Sequence, residues 1–114
     1  MSCPLPGTPV RGSKTGKPIM ALLDLMGRTW SLGIIWNLYQ SSLTFRALQA
    51  KCEGISPSLL NTRLKELRIA DLIKKSDQGY QLTSLGLSLF YVIEPLGEWS
   101  KHWQQELAVL KDNG

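Results

Sequence analysis

Gly54-Ile55-Ser56-Pro57-Ser58-Leu59-Leu60-Asn61-Thr62-Arg63-Leu64-Lys65-Glu66-Leu67 is the stretch on which the fold turns. Ser56 offers a hydroxyl to cap a helix and Pro57 suits its first turn, so a helix is expected to start here. At about 100° per residue, with Leu60 as zero, Leu64 falls at about 40° and Leu67 at about 340°, one narrow apolar face. Ser58, Thr62 and Lys65 fall opposite, at about 160°, 200° and 140°, with Asn61 on the flank at about 100°. That outward face carries hydroxyl, amide and ammonium groups and no acid, the side-chain types that meet base edges and phosphates. Arg63, at about 300°, lies nearer the core side, where it braces the helix or reaches a phosphate.

Immediately upstream, Thr44 is expected to cap a short helix that turns Phe45, Leu48 and Cys52 inward, closed by Glu53-Gly54. Two short helices across a glycine-containing turn outline a helix-turn-helix. Further back, Pro18 opens an apolar helix that Gly27 closes. Trp30 to Tyr39 is apolar almost all round, as a central buried helix would be, with Thr29 as its expected cap. Residues 1–16, with three prolines, three glycines and few large apolar groups, read as a flexible basic tail.

Downstream, Asp71 is expected in the left-handed conformation that ends helices. Leu72-Ile73-Lys74-Lys75 and Tyr80-Gln81-Leu82-Thr83 then read as two strands joined by a four-residue loop, Ser76-Asp77-Gln78-Gly79. From Ser84 onward a long apolar stripe includes Leu85, Leu89, Val92, Leu96, Trp99, Trp103, Leu107 and Leu110, with Pro95 marking a bend. The stripe and the first helix are two apolar surfaces without partners, and burying them between two copies is the simplest resolution. Leu22, Leu25, Leu96, Trp99, Trp103 and Leu107 are the expected interface. The spacing of Trp99 and Trp103 favours core or dimer packing over an aromatic ligand pocket, and His102 is expected on the solvated surface.

At 114 residues and 43% apolar composition, the chain suits one domain. The expected division is the tail at 1–16, a folded domain at 17–110 and a short tail at 111–114. Residues 1–75 carry eleven basic side chains against four acids, and residues 76–114 two against five. A basic front suits a polyanionic partner. No apolar run approaches the roughly 18 residues of a membrane span and the first residues do not read as a leader, so no membrane partner and a cytoplasmic location are expected. Cys3, Cys52 and His102 do not supply a zinc ligand set, so no metal is expected. No nucleophile has a base and carboxylate grouped with it and no glycine-rich phosphate loop follows a strand, so neither an enzyme nor a cofactor is expected.

The span from Pro18 to Trp103 resembles the HxlR-type winged-helix regulators, relatives of the MarR group. Ala21 to Trp30 carries the resemblance first, then Phe45 with Leu48, Gly54-Ile55-Ser56, Leu60 to Leu67, Leu82 to Gly86, and Trp99. The resemblance implies a mainly α fold with a small β-hairpin, a winged helix-turn-helix with terminal dimerisation helices. It also implies a homodimer that binds double-stranded DNA at a pseudo-palindromic operator and regulates transcription. The expected DNA-binding set is Thr44, Arg46, Lys51, Ser56, Ser58, Asn61, Thr62, Arg63, Lys65, Lys74 and Lys75.

This chain departs from the family pattern at several points. Lys17 stands where members often have a sensing cysteine before the first helix, so that role is not transferred to Cys3 or Cys52. Thr44 and Ser58 replace frequent cations, Asp71 replaces a glycine, and the hairpin is shorter. Arg46, Lys51, Lys74 and Lys75 would then supply much of the phosphate grip. The rival expectation is a winged helix that binds protein and not DNA.

Overall fold

The computed structural model describes residues 3–113, in the order α1 (Pro18–Met26), α2 (Ser31–Leu38), α3 (Phe45–Lys51), α4 (Pro57–Ile69), β1 (Ile73–Ser76), β2 (Gly79–Leu82), α5 (Ser84–Ile93) and α6 (Pro95–Asn113). Three of the helices start on a hydroxyl. Thr44, Ser56 and Thr83 accept from the backbone N–H of Ala47, Leu59 and Gly86 at 3.1, 3.2 and 3.0 Å. Caps of this kind contribute about 1 kcal/mol each. Between α3 and α4, Glu53 and Gly54 adopt positive φ (57° and 75°), and the Gly54 N–H donates to the Gln49 carbonyl. Asp71 ends α4 at φ 61°, the left-handed position expected of it.

One core joins these elements. Ile34 and Ile35 of α2 are fully buried, and Leu48 of α3, Leu60, Leu64 and Leu67 of α4, Ile73 and Tyr80 of the hairpin, and Phe90 and Ile93 of α5 close around them. Each aliphatic or aromatic side chain so buried contributes about 1.5–3 kcal/mol relative to exposure. No single helix among the described residues is long and apolar enough to cross a membrane.

The structure corrects several expectations. The hairpin pairs Ile73 with Leu82, Lys74 with Gln81, Lys75 with Tyr80 and Ser76 with Gly79, so its connection is the two residues Asp77-Gln78 and not four. Gly79 permits this. Its φ is 113°, and a Cβ there would lie 2.4 Å from the Leu43 carbonyl oxygen. With nothing in the way, Leu43 exchanges two backbone hydrogen bonds with Tyr80, at 2.9 and 2.8 Å, and ties the wing to the segment before α3.

Helix α2 is not capped by Thr29. It starts at Ser31 behind Trp30, whose φ is 70°, and the Thr29 carbonyl is occupied by a bond from Arg63. The Trp30 ring lies over Gly33, where a Cβ would come within 2.6 Å of it.

Residues 3–16, expected as a flexible tail, are laid against the body. Pro4 is buried, Val10 and Ser13 form a bridge, and the Gly7 N–H donates to the Gly16 carbonyl at 2.9 Å. The glycines that suggested disorder instead make tight turns, with φ of 87°, 86° and 73° at Gly7, Gly12 and Gly16. At the other end α6 continues through Asn113, so residues 111–113 are helical and not a tail. Residues 1, 2 and 114 of the two expected tails lie outside the described residues.

Candidate nucleic-acid interface

Helix α4 is placed by its leucines. Leu60, Leu64 and Leu67 are at most 1% exposed, which fixes the rotation of the helix and turns Ser58, Asn61, Thr62 and Lys65 out to solvent. The Thr62 hydroxyl donates to the Ser58 carbonyl at 3.0 Å, holding that side chain against the helix. Arg68, which the sequence reading did not single out, is exposed on the last turn. Its position, about 80° on the same wheel, sets it beside Asn61. The signal was available as an eight-residue offset from Leu60.

Helix α3 precedes α4 across the Glu53-Gly54 turn, with Arg46 and Lys51 exposed. Thr44 and Ser56 are exposed too, with their hydroxyls engaged as caps. In the wing, Lys74 and Lys75 are adjacent on one strand and so point to opposite faces. Lys75 lies over the Tyr80 ring, its Nζ 5.7 Å from the centroid, whereas Lys74 borders a hollow with Tyr39, Ser42 and Gln81. The pair therefore does not act as one double charge.

Arg63 lies on the core side of α4, as a brace and not as a phosphate contact. It is buried, donates from Nε to the Thr29 carbonyl at 2.8 Å, and donates from Nη1 to Glu66 Oε1 at 3.0 Å. The other Glu66 oxygen is paired with Arg28, whose Nε lies 3.5 Å from Asp24 Oδ1. Asp24 in turn accepts from the Arg11 backbone N–H at 3.1 Å and faces the Arg11 guanidinium at 3.3 Å. This buried chain escaped the sequence reading, although its spacings, three residues from Arg63 to Glu66 and four from Asp24 to Arg28, are those of helix ion pairs.

The expected dimer residues divide. Leu25 is 4% exposed inside the core of its own chain and is not available to a partner. Leu22 is half-buried beside an apolar hollow of about 340 Å³ between α1 and α5. Leu96, Trp99, Trp103 and Leu107 stand exposed along α6, with the two indole rings stacked at a centroid distance of 5.9 Å. His102 is exposed beside them in the sequence.

Cys52 is buried, and burial followed by the neighbouring Glu53 charge pushes its thiol above the usual range. Cys3 is half-buried and donates to the Glu66 carbonyl at 3.3 Å. Its thiol is also raised, first by burial and then by Glu66, with Arg28 opposing. Neither is the low-pKa thiolate that rapid redox chemistry uses.

Comparison with known proteins agrees with this geometry. Residues 25–108 match the family described as HxlR-like helix-turn-helix. The HTH-type transcriptional regulator YvaP of Bacillus subtilis (strain 168) is 25% identical over 88 residues, covering 71% of this chain and 82% of that protein. A second regulator of that organism, YybR, is 22% identical over 109 residues, covering 90% of this chain and 87% of its own length.

Among solved structures, quinone-bound YodB from B. subtilis superposes with a TM-score of 0.67 at 26% identity, over 74% of this chain and 94% of that one. A MarR-family transcriptional regulator from Porphyromonas gingivalis W83 gives 0.69 at 25% identity, over 78% and 94%. The helix-turn-helix with its wing is thus a winged-helix regulator fold, and the chain belongs to the HxlR-like helix-turn-helix family of transcriptional regulators.

Proposed function

We propose that the protein is a homodimer that binds double-stranded DNA in a sequence-specific way at a pseudo-palindromic operator. The observation that carries this reading is the outward face of α4, where Ser58, Asn61, Thr62 and Lys65 are exposed opposite fully buried leucines. A helix held this way, behind a short helix and beside a hairpin, suits the major groove. Asn61 and Lys65 offer groups that pair with adenine and guanine edges. Arg46, Lys51, Arg68, Lys74 and Lys75 supply cations for phosphates on either side, while Thr44 and Ser56 act as caps. Arg63 braces α4 from behind.

Two copies would meet through α6 and the Leu22 side of α1, burying Leu96, Trp99, Trp103 and Leu107. Two such helices read successive half-sites about 34–36 Å apart. A DNA-binding regulator of this kind works in the compartment that holds the DNA, which fits the cytoplasmic expectation.

The test is operator affinity in Asn61→Ala and Lys65→Ala, measured across salt concentration. Each substitution is expected to weaken binding by about 1–3 kcal/mol if the side chain reads a base, with the fold kept. Wild-type affinity should fall steeply as salt rises, because phosphate contacts release counterions. Unchanged affinity in both variants, or binding that ignores salt, would remove DNA reading from this face and leave the protein-binding alternative.

A further inference from the structure

The inward edge of α4 is the end of a chain of five ionised side chains that starts in the N-terminal arm. Arg11 faces Asp24, Asp24 faces Arg28, Arg28 pairs with Glu66, and Glu66 pairs with Arg63. Four of the five are nearly withdrawn from water. The side chains of Asp24, Arg28, Glu66 and Arg63 are 2, 6, 6 and 11% exposed, whereas that of Arg11 is 69% exposed. The arm also touches α4 directly, since the Cys3 thiol donates to the Glu66 carbonyl at 3.3 Å. Arg63 adds a fixed point, because its Nε bond to the Thr29 carbonyl ties α4 to the turn where Trp30 holds φ 70°.

The two kinds of contact on α4 constrain different things. Leucine packing fixes which face of α4 is buried, but it resists a small tilt only weakly, because dispersion contacts are many and individually small. A carboxylate gripped by guanidinium groups on both oxygens fixes direction as well as distance. The tilt of α4 decides how Asn61 and Lys65 are aimed, and bidentate base contacts need that aim to be close.

We propose that the ionic chain makes the N-terminal arm a positioning element for α4: Arg11, acting through Asp24, Arg28 and Glu66, holds the pitch at which the Ser58, Asn61 and Lys65 face is presented. The inference rests on the reading of α4 as the DNA-contacting helix. Phosphate contacts from flexible lysines and arginines survive a small tilt of α4, and base contacts do not. Loosening the arm therefore lowers the preference for operator over random DNA more than it lowers binding as such. A residue that only stabilises the fold leaves that preference unchanged in the molecules that remain folded.

The experiment measures the ratio of affinities for a selected operator and for a random duplex of equal length at one salt concentration, with thermal unfolding alongside. Arg11→Glu sets a carboxylate beside the buried Asp24 and alters neither the outward face nor the core. It is expected to lower the ratio about 2- to 30-fold in folded protein, while Arg11→Lys stays near wild type. Arg11→Ala, which adds no repulsion, gives a smaller fall in the same direction and serves if Arg11→Glu does not fold. A wild-type ratio in the folded glutamate or alanine variant overturns the positioning role. A wild-type protein that does not distinguish operator from random DNA overturns the DNA reading itself, and the arm's role with it.

Discussion

Helices α4 and α6 carry the same kind of pattern and meet opposite fates. In α4 the leucines at 60, 64 and 67 are at most 1% exposed, buried by α2, α3 and the hairpin of the same chain. In α6 the stripe of Leu96, Trp99, Trp103, Leu107 and Leu110 remains 48–65% exposed, and no residue of that helix is buried. Amphipathicity tells that a face must be covered; it does not tell by what. The chain covers the α4 face itself, leaving the polar side of that helix free for a ligand. The α6 face stays uncovered by its own chain, and in the proposed homodimer a second copy with the same stripe covers it.

Substitutions can break this contrast. The largest effect is expected for Leu64→Ala, which opens a cavity in a filled core and should cost about 2–5 kcal/mol of unfolding free energy by denaturant titration. Trp103→Ala removes a larger apolar group from α6, yet should leave the helical circular dichroism of the chain in place. Its expected effect is on assembly, a dimer dissociation constant raised by about 30-fold or more in sedimentation if the indole is an interface anchor. If Trp103→Ala unfolds the chain as Leu64→Ala does, α6 belongs to the same cooperative core and the contrast is lost. Smallest is Ser56→Ala, which removes the hydroxyl that accepts from Leu59 and should cost about 1 kcal/mol of unfolding free energy, read as a thermal midpoint lowered by a few degrees.

The helix-turn-helix half was legible in the sequence because its signals are local. Thr44 and Ser56 announce the starts of α3 and α4, Gly54 the turn, and the leucine spacing the buried face. What was not legible depends on contacts far apart in the chain. Leu43 bonds to Tyr80, more than thirty residues away, and its carbonyl leaves no room for a Cβ at Gly79 beside the Asp77-Gln78 connection. Helix α2 starts at Ser31 behind Trp30, and the Thr29 carbonyl accepts from Arg63, thirty-four residues on. The arm at 3–16 looked flexible because its few apolar groups cannot make a core of their own, but Cys3 packs against one that already exists and Pro4 is buried beside it.

The site shows the same division. The outward residues of α4 could be read from a wheel. The wheel also set Arg63 toward the core side, but its partner Glu66, the Arg28 beyond it and the burial of Leu25 in the core could not be read from it.

In the proposed function the outward face of α4, presented twice by a homodimer, reads DNA sequence. Selection of bound duplexes from a random pool tests it most directly. The expected result is enrichment of an inverted repeat whose half-sites are centred about 10–10.5 base pairs, one helical turn, apart. A pool that shows no enrichment after repeated rounds, from protein that is folded and dimeric, would contradict it.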